Sequence, residues 1–299
     1  MSRIHDALKR AEQERATSLG GHPEPALVQP ETAPTFSSAT AADGGTAVMP
    51  ALTTALTYES VLAGCPVANW NPDFRTMLFF QSDENRVGAE EFRTLRSRLY
   101  QIREKLPLTK IMVTSALPKE GKSFVAANLA QVMVRQHGRR ALIIDADLRN
   151  PGMHRHLGAK PSPGISDYLM GQADELAILQ RGPMDGLFFI PAGQTTTEAP
   201  ELLANGRLKL LLQRLEPLFD WIVIDTPPVV PVADSTLVAN FCDGVLMVVR
   251  SNVTRSDLAR RAREEFQDKL LLGVILNGAA AEHSRSAYYY YGEAQSNPA

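Results

Sequence analysis

Five short runs of apolar residues, separated by stretches with helical character, constrain the fold of this chain more than any other feature. They are KIMVTSA (110–116), RRALIIDAD (139–147), WIVID (221–225), GVLMVV (244–249) and LLGVILN (271–277). Strands that are apolar throughout must be buried on both faces, which happens when helices cover both sides of a parallel sheet. The sequence therefore predicts an α/β fold with a mostly parallel β-sheet and helices on both faces.

Composition and charge narrow the class of protein. The 299 residues are 44% hydrophobic and 21% charged, as in an average soluble protein, and suffice for one α/β domain with appendages. A formal net charge of −2 lacks the basic excess typical of nucleic-acid-binding domains, so we expect no nucleic-acid partner. The two cysteines, Cys65 and Cys242, have no metal-ligand spacing and predict neither a disulfide framework nor a thiolate metal site.

The composition along the chain predicts four segments. Residues 1–15 read as an amphipathic helix, which is either a frayed terminus or a docking element, and residues 16–75 as a flexible linker rich in Pro, Ala and Thr. The later part of the linker holds large aromatic residues, so some of it could lie against the domain: Tyr58, Trp70 and Phe74. Residues 76–280 hold the folded domain, and 281–299 a flexible tail. The N-terminus lacks the apolar core of a signal peptide, and no window approaches the ~20 apolar residues of a membrane span, so we expect a cytoplasmic protein.

A phosphate-binding loop is predicted between the first strand and its helix. The residues ALPKEGKS (116–123) fit the pattern G-x-x-x-x-G-K-[ST], with Ala116 in the first position. The start of a helix favours an anion, because main-chain N–H groups and the helix dipole point toward it. Lys119 is either a second phosphate-contacting lysine or, as we favour, an exposed loop residue. The residues expected to contact the nucleotide are Pro118, Lys119, Glu120, Gly121, Lys122, Ser123 and Phe124.

Three aspartates stand where neighbouring strands end. Asp145 and Asp147 follow the second apolar run, and Asp225 ends the third. Each one alone is also explained as a helix cap or turn residue. In a parallel sheet, however, the carboxyl ends of the strands share one edge, so the three acids should converge with Lys122 and Ser123. Such a cluster requires a divalent cation, and a Mg²⁺–nucleotide would supply it. His154 and His156 could suggest a metal pair, but without a third ligand we interpret them as loop residues.

The segments SALPKEGKS, ALIIDADLRNP and WIVIDTPPVVPVADS resemble the bacterial tyrosine autokinases (BY-kinases) of exopolysaccharide and capsule synthesis. PGISDYLMG, IPAGQTTTEAPELL and DGVLMVVRSNVTR also follow that family, and the resemblance spans roughly Ala89 to Gly278 plus the tail. It implies a P-loop NTPase fold of the MinD/ParA kind, with ATP and Mg²⁺ as cofactors. The metal would be held by Ser123, Asp147 and Asp225.

The resemblance also implies roles for Lys122 and Asp145. Lys122 would bind the phosphates, and Asp145 would accept the proton of the attacking tyrosine. Phe124 departs from the family, which commonly has a small hydroxyl residue there, and we expect its ring to pack under the helix.

A tyrosine cluster in the tail supplies candidate acceptors. Tyr288, Tyr289, Tyr290 and Tyr291 are adjacent, so their side chains cannot all be buried against one surface. The alternative is an aromatic end that packs on the domain. The resemblance implies that neighbouring subunits phosphorylate the cluster in trans.

Glu90, Arg93 and Arg96 follow the family's E-x-x-R-x-x-R pattern, and spacing of three places them on one helix face. This face forms either a local salt bridge or, as the resemblance suggests, a subunit interface of a ring.

The leading hypothesis is thus an ATP-dependent tyrosine autokinase that regulates exopolysaccharide or capsule polymerisation and export. The implied partner is a separate membrane polysaccharide co-polymerase, whose cytoplasmic tail would recruit the kinase to the inner face of the membrane. The alternative is a partitioning or positioning ATPase of the MinD/ParA kind. Those proteins carry a lysine five residues before the Walker lysine, where this chain has Leu117. A nucleotide-binding scaffold without transfer activity is a third possibility.

Overall fold

The structure, a computed structural model, describes residues 56–81 and 87–279. The helix predicted over 1–15, most of the predicted linker and the tyrosine cluster lie outside the described residues. Within the described ranges, no helix combines the length and the apolar character needed to cross a bilayer.

A seven-stranded sheet forms the centre of the domain, in the order β3-β4-β2-β5-β1-β6-β7. Only the two-residue β3 pairs antiparallel, with β4, and the other described pairs are parallel, which confirms the predicted mostly parallel sheet. The sequence reading missed β3 because two residues carry no periodicity. The strands are β1 Lys110–Ser115, β2 Ala141–Asp145, β3 Gln180–Arg181, β4 Leu187–Ile190, β5 Trp221–Asp225, β6 Gly244–Arg250 and β7 Leu271–Asn277.

Helices cover both faces of this sheet, as the apolar strands predicted. Alternate side chains of β1, β2, β4 and β5 enter two separate apolar clusters, one on each side. Helices α5, α8, α9 and α10 contribute to one cluster, and α2 and α3 to the other. The described helices are α1 Tyr58–Gly64, α2 Ala89–Arg103, α3 Lys122–Val134, α4 Met153–Leu157, α5 Ile165–Leu169, α6 Glu175–Ile178, α7 Ala199–Ala204, α8 Arg207–Leu215, α9 Asp234–Ala239 and α10 Ser256–Glu264, with a 3₁₀ turn at Glu216–Leu218.

The folded domain begins earlier in the chain than the predicted linker boundary, because residues 56–75 belong to it. Helix α1 begins with a reciprocal cap between Thr57 and Ser60, and it buries Val61 completely. Farther along, the Trp70 ring is buried edge-on against Phe189, with 6.0 Å between the ring centroids. The aromatic residues of this part indicated the contact, whereas the average composition of 16–75 placed the boundary too late in the chain.

The continuation of this segment, residues 76–81, docks on α3 through hydrogen bonds. The fully buried Asn128 accepts from the main-chain N–H of Leu78 and donates to the carbonyl of Thr76, both at 2.8 Å. One turn later, the Gln131 side chain accepts from the N–H of Phe79 at 3.2 Å. The buried amides of α3 thereby satisfy main-chain groups that no strand pairs.

If residues 56–75 are part of the domain, truncating Trp70 should be costly. Trp70→Ala removes a ring that packs on Phe189, and we expect it to lower the free energy of unfolding by roughly 3–5 kcal/mol. The matched control is Val67→Ala in the same segment, since the Val67 side chain is 56% exposed and should change stability by about 0.5 kcal/mol or less. Urea denaturation measures the free energy of unfolding of both variants. If both substitutions change it by an equally small amount, the segment is a linker and not part of the domain.

Candidate active site

The phosphate-binding loop connects the end of β1 to the start of α3. Its backbone is left-handed at Lys119 (φ 66°) and Gly121 (φ 96°). A Cβ atom on Gly121 would lie 2.0 Å from the side-chain nitrogen of Asn277, so a larger residue would be strained at this φ and would displace Asn277 from the loop. Ala116 is buried and is not among the described residues with positive φ, which explains why alanine can replace the first glycine.

Residues from the ends of β6 and β7 hold this loop in place. The buried Glu120 carboxylate accepts from the N–H of Leu117 at 2.7 Å and from the hydroxyl of Thr254. Asn277 donates to the carbonyl of Glu120 at 2.9 Å, and Arg250 to that of Lys119 at 3.1 Å. The Glu120 side chain, which we expected among the nucleotide contacts, therefore braces the loop from within. The sequence reading missed Thr254, Arg250 and Asn277, although all three lie at or just past the strand ends on the same edge.

The other predicted loop residues differ in exposure. Pro118 and Lys119 are exposed, as the favoured interpretation of Lys119 expected. Phe124 is half-buried and packs edge-on against Phe92 of α2, with the ring centroids 5.8 Å apart. The Phe124 ring thus lies between α2 and α3 rather than in the loop.

The three predicted aspartates and Lys122 meet at the carboxyl edge of the sheet. Asp145 and Asp225 are register partners on the adjacent strands β2 and β5. The Lys122 ammonium lies 3.0 Å from Asp147 Oδ2, 3.7 Å from Asp225 Oδ1 and 3.3 Å from the Ser123 hydroxyl. The exposed fractions of Asp145, Asp147 and Asp225 are 0%, 4% and 1%, so this charge cluster is almost completely desolvated.

The carboxylates differ in their hydrogen bonds. Asp145 Oδ1 accepts from the N–H of Asp147, and Asp145 Oδ2 accepts from the N–H groups of Gly152 and Met153, at 3.1–3.2 Å. Within the described ranges, by contrast, neither carboxylate oxygen of Asp225 accepts a hydrogen bond, although both are buried. The Lys122 ammonium, 3.7 Å from Oδ1, is too far away for one, so this buried carboxylate is poorly compensated and favours a further positive ligand.

Burial and mutual repulsion shift the pKa values of the cluster. Burial, and then the nearby Asp225 charge, raise the pKa of Asp145 to about 7. Burial also raises the pKa of Asp225, against the opposing effect of Lys122. Burial alone would lower the pKa of Lys122, but the Asp225 and Asp147 carboxylates outweigh it and raise this pKa. One ammonium thus faces three carboxylates, and the cluster has a deficit of positive charge.

The donor set fits Mg²⁺. Three hard oxygen ligands lie close together: the Asp225 carboxylate, the Asp147 carboxylate and the Ser123 hydroxyl. In the part of the chain that the structure describes, no group of three or more His, Cys, Asp or Glu side chains is arranged to hold a metal by itself. Mg²⁺ usually takes one or two carboxylates and completes its shell with phosphate oxygens and water, so these residues suit a metal that arrives with a nucleotide.

An ion pair that the sequence reading missed ties two loops of the site together. The guanidinium of Arg149, two residues after Asp147, contacts both carboxylate oxygens of the buried Asp234 at 2.7 and 3.2 Å. Asp234 opens α9, in the segment that follows Asp225. The pair therefore fixes the loop after β2 against the loop after β5. Both residues stand in the segments that carry the family resemblance, which was the available signal.

Two other predictions fall outside this cluster. His154 and His156 do not lie in a loop, and that interpretation is wrong: Gly152 and Gly158 bracket the short helix α4, which buries Met153 and Leu157. Glu90 and Arg93 form an ion pair at 2.9 Å, while Arg96 donates to the carbonyl of Val132 at 2.9 Å. The role of these three residues in a subunit interface stays a prediction, as does that of Tyr288–Tyr291, outside the described residues.

The raised pKa of Asp145 predicts a pH-dependent stability. The folded state holds a proton on Asp145 up to about pH 7, whereas the unfolded chain loses it near 3.8, so stability falls as pH rises between these values. We expect Asp145→Asn to remove this loss and to stabilise the nucleotide-free protein by on the order of 2–4 kcal/mol more at pH 8 than at pH 4. Urea denaturation at both pH values measures it.

Asp185→Asn is the control, because that side chain is 97% exposed. A stability gain from Asp145→Asn that is the same at both pH values would contradict the assignment of the charge cluster.

The chain is similar to tyrosine kinases in sequence and in structure, although no family model matches it. It is 32% identical over 206 residues to the tyrosine-protein kinase YwqD of Bacillus subtilis (strain 168), covering 68% of the chain and 86% of YwqD. It is 34% identical over 194 residues to the succinoglycan biosynthesis transport protein ExoP of Rhizobium meliloti (strain 1021). That match covers 63% of the chain but spans only 25% of ExoP.

A solved structure shows the same relationship in three dimensions. The kinase domain of the Escherichia coli tyrosine kinase ETK superposes with a TM-score of 0.65 at 27% sequence identity, covering 72% of this chain and 83% of that domain. Together with the phosphate loop and the converging aspartates, these matches place the chain in the family of bacterial tyrosine kinases, the BY-kinases.

Proposed function

We propose that this kinase transfers the γ-phosphoryl group of Mg²⁺–ATP to the tyrosines of its own C-terminal cluster, Tyr288–Tyr291, on a neighbouring copy. The observation that carries the proposal is the position of Lys122 at 3.0 Å from Asp147 and 3.7 Å from Asp225, directly after a phosphate-binding loop. In the reaction, the phenolic oxygen forms a bond to the γ-phosphorus, and the bond between the γ-phosphorus and the oxygen that bridges it to the β-phosphorus breaks. ADP leaves, and the phenolic proton passes to a base.

The phosphate loop and Lys122 orient the triphosphate. Main-chain N–H groups at the start of α3 face an anion, and the Lys122 ammonium neutralises the β- and γ-phosphates. Ser123, Asp147 and Asp225 would hold the metal. When bound, Mg²⁺ would offset negative charge on the phosphates during transfer. Its positive charge would also compensate the acids of the cluster, which Lys122 alone does not.

Asp145 is the proposed proton acceptor. A phenol with a pKa near 10 is hardly ionised at neutral pH, so a nearby base accelerates its attack. A carboxylate whose pKa is about 7 is better matched to that task than an ordinary aspartate. Asp145 is fully buried here and held by the N–H groups of Gly152 and Met153. The loop 146–152 must therefore move before a phenol can reach it.

The root of the tail lies beside the phosphate loop. Asn277, the last residue of β7, contacts Glu120 of the loop, and Tyr288 follows it by eleven residues. An extended chain of this length spans up to ~37 Å, which allows a tail to reach into a neighbouring subunit. We propose that the neighbouring subunit is brought into range by a contact at the face with Glu90, Arg93 and Arg96. Repeated contacts of this kind would form a ring.

The biological role that we propose is regulation of exopolysaccharide or capsule polymerisation and export. It rests on the similarity to ExoP, which is named for succinoglycan biosynthesis and transport. The chain spans a quarter of ExoP. The partner that we propose is a membrane polysaccharide co-polymerase, which would recruit the kinase to the inner face of the membrane. The partitioning-ATPase alternative has less support, because Leu117 replaces its signature lysine and the relatives named above include tyrosine kinases.

Labelling with Mg²⁺ and [γ-³²P]ATP tests the catalytic part of this proposal. We expect phosphotyrosine on the tail of the wild-type protein and a reduction of at least roughly a hundredfold in Lys122→Met, which loses the charge that orients the phosphates. Lys105→Met, which removes an exposed lysine before β1, is the matched control and should label normally.

Replacing Tyr288–Tyr291 by Phe locates the acceptors. If these variants retain full phosphotyrosine, the cluster is not the substrate. If the wild-type chain hydrolyses ATP but never contains phosphotyrosine, the partitioning-ATPase function replaces the kinase function. Mixing Lys122→Met protein with wild-type protein completes the test, because label on the inactive copy requires transfer in trans.

A further inference from the structure

A second polar pocket, of about 490 Å³, opens between α2 and the C-terminal end of α3. The 13 residues of α3 separate it from the phosphate loop by about 20 Å, so it is distinct from the active site. It is an open groove at the surface, with room for a side chain of a ligand. The lining residues that matter here are Arg96, Tyr100, Gln101, Glu104, Arg135 and Gln136.

Two arginines of the pocket are fixed by the main chain. Arg96 donates from Nη1 to the carbonyl of Val132 at 2.9 Å. Arg135 donates from Nη2 to the carbonyls of Phe79 and Gln81. A guanidinium carries five N–H groups in a rigid fork, so each side chain keeps further donors while its position is held. Such pre-organised guanidinium groups lose little freedom when they bind an anion.

An aromatic ring stands beside these two cations. The Tyr100 ring lies edge-on to Trp221 at 5.2 Å, and its hydroxyl accepts from the Trp221 indole at 3.2 Å. The ring is half-buried and lines the same pocket as Arg96 and Arg135. Guanidinium groups beside an aromatic ring suit a ligand that carries both a phosphate group and a ring.

The electrostatic surroundings favour an anionic ligand. Arg96 and Arg135 are opposed by one acid in the pocket lining, Glu104. The exposed Arg98 and Lys105 extend the positive charge along and beyond α2. A strongly anionic ligand is therefore preferred over a neutral one. The Glu104 carboxylate would repel such a ligand, and a substitution can remove this repulsion.

We infer that this pocket binds a phosphotyrosine side chain of the C-terminal tail, residues 281–299. The inference rests on the proposed function, because that function produces the phosphotyrosine. The tail carries one arginine and two glutamates, and each phosphorylation adds a charge of about −2 and three acceptor oxygens. The phosphorylated tail thus matches both the cations and the aromatic ring, whereas the unphosphorylated tail lacks the anionic group. Its attachment to the domain raises its local concentration far above that of a free ligand.

Binding at this site would couple the phosphorylation state of the tail to the rest of the domain. Arg135 is hydrogen-bonded to the segment 76–81, which is docked on α3, the helix that begins with Lys122. Arg96 belongs to the face that we propose as a subunit contact. A phosphorylated tail in this pocket therefore competes with a neighbour for the Arg96 side of α2, and the phosphorylation state can change the assembly.

Direct binding of a synthetic peptide tests the inference without relying on catalysis. The probe is a fluorescent peptide of residues 284–295 with one phosphotyrosine at position 289, and the unphosphorylated peptide is its control. Both are titrated by fluorescence anisotropy into the full-length chain carrying Lys122→Met, whose own tail should stay unphosphorylated. We expect the phosphopeptide to bind at least tenfold tighter than its control, as charge-assisted contacts to two arginines predict.

Substitutions locate the binding site. Arg96→Gln and Arg135→Gln should each weaken phosphopeptide binding by roughly tenfold, whereas Arg98→Gln, an exposed arginine on the same helix, should change it by about twofold or less. Glu104→Gln should tighten binding by about two- to threefold, and a gain of affinity cannot arise from misfolding.

Three outcomes would overturn the inference: equal binding of the two peptides, no effect of Arg96→Gln and Arg135→Gln, or no gain from Glu104→Gln. Inorganic phosphate that competes as well as the phosphopeptide at equal concentration would also overturn it, since the site would then read phosphate alone. None of these results affects the labelling experiment. Conversely, a chain that never labels but binds the phosphopeptide would leave the pocket without its proposed source and would contradict the kinase function only.

Discussion

The Lys122 ammonium, placed against three buried carboxylates, is the interaction around which the rest of the domain is arranged. Three neighbouring strands of a parallel sheet bring Asp145, Asp225 and the phosphate loop to one edge because their register aligns their ends. One cation cannot compensate three desolvated acids, and Asp225, whose buried oxygens accept no hydrogen bond in the described ranges, shows where compensation is missing. The energetic cost of this arrangement in the free protein favours the binding of a further positive ligand.

The scaffold around this cluster is correspondingly stiff. The phosphate loop is braced from one side by Glu120, Thr254 and Asn277, and the two loops bearing the acids are joined by Arg149 and Asp234. Asn277 is also the last strand residue before the tail. The end of β7, from which the tail continues, thus contacts the phosphate-binding loop.

The predictions from sequence succeeded where a local pattern has one structural outcome. Uninterrupted apolar runs identified the parallel strands, and the loop motif with acids at strand ends identified Lys122, Asp145, Asp147 and Asp225. They failed where a few residues depend on distant partners. Helix α1 and Trp70 fell within the predicted linker because their neighbours are polar and small, although the aromatic residues there indicated some contact with the domain. Strand β3 is stable only through its pairing with β4. The buried Glu120 resembles a solvent-facing loop residue until Thr254 is placed beside it.

The amino-acid sequence by itself determined the α/β class, the phosphate loop and the identities of the acids, because hydrophobic periodicity and short motifs are local properties of the chain. Only the tertiary structure decided which charges share one desolvated space, which buried oxygens lack a partner, and that Arg96 and Arg135 line one pocket with Tyr100. These facts depend on contacts between residues tens of positions apart, whose distances are set by the packing of the whole sheet and its helices.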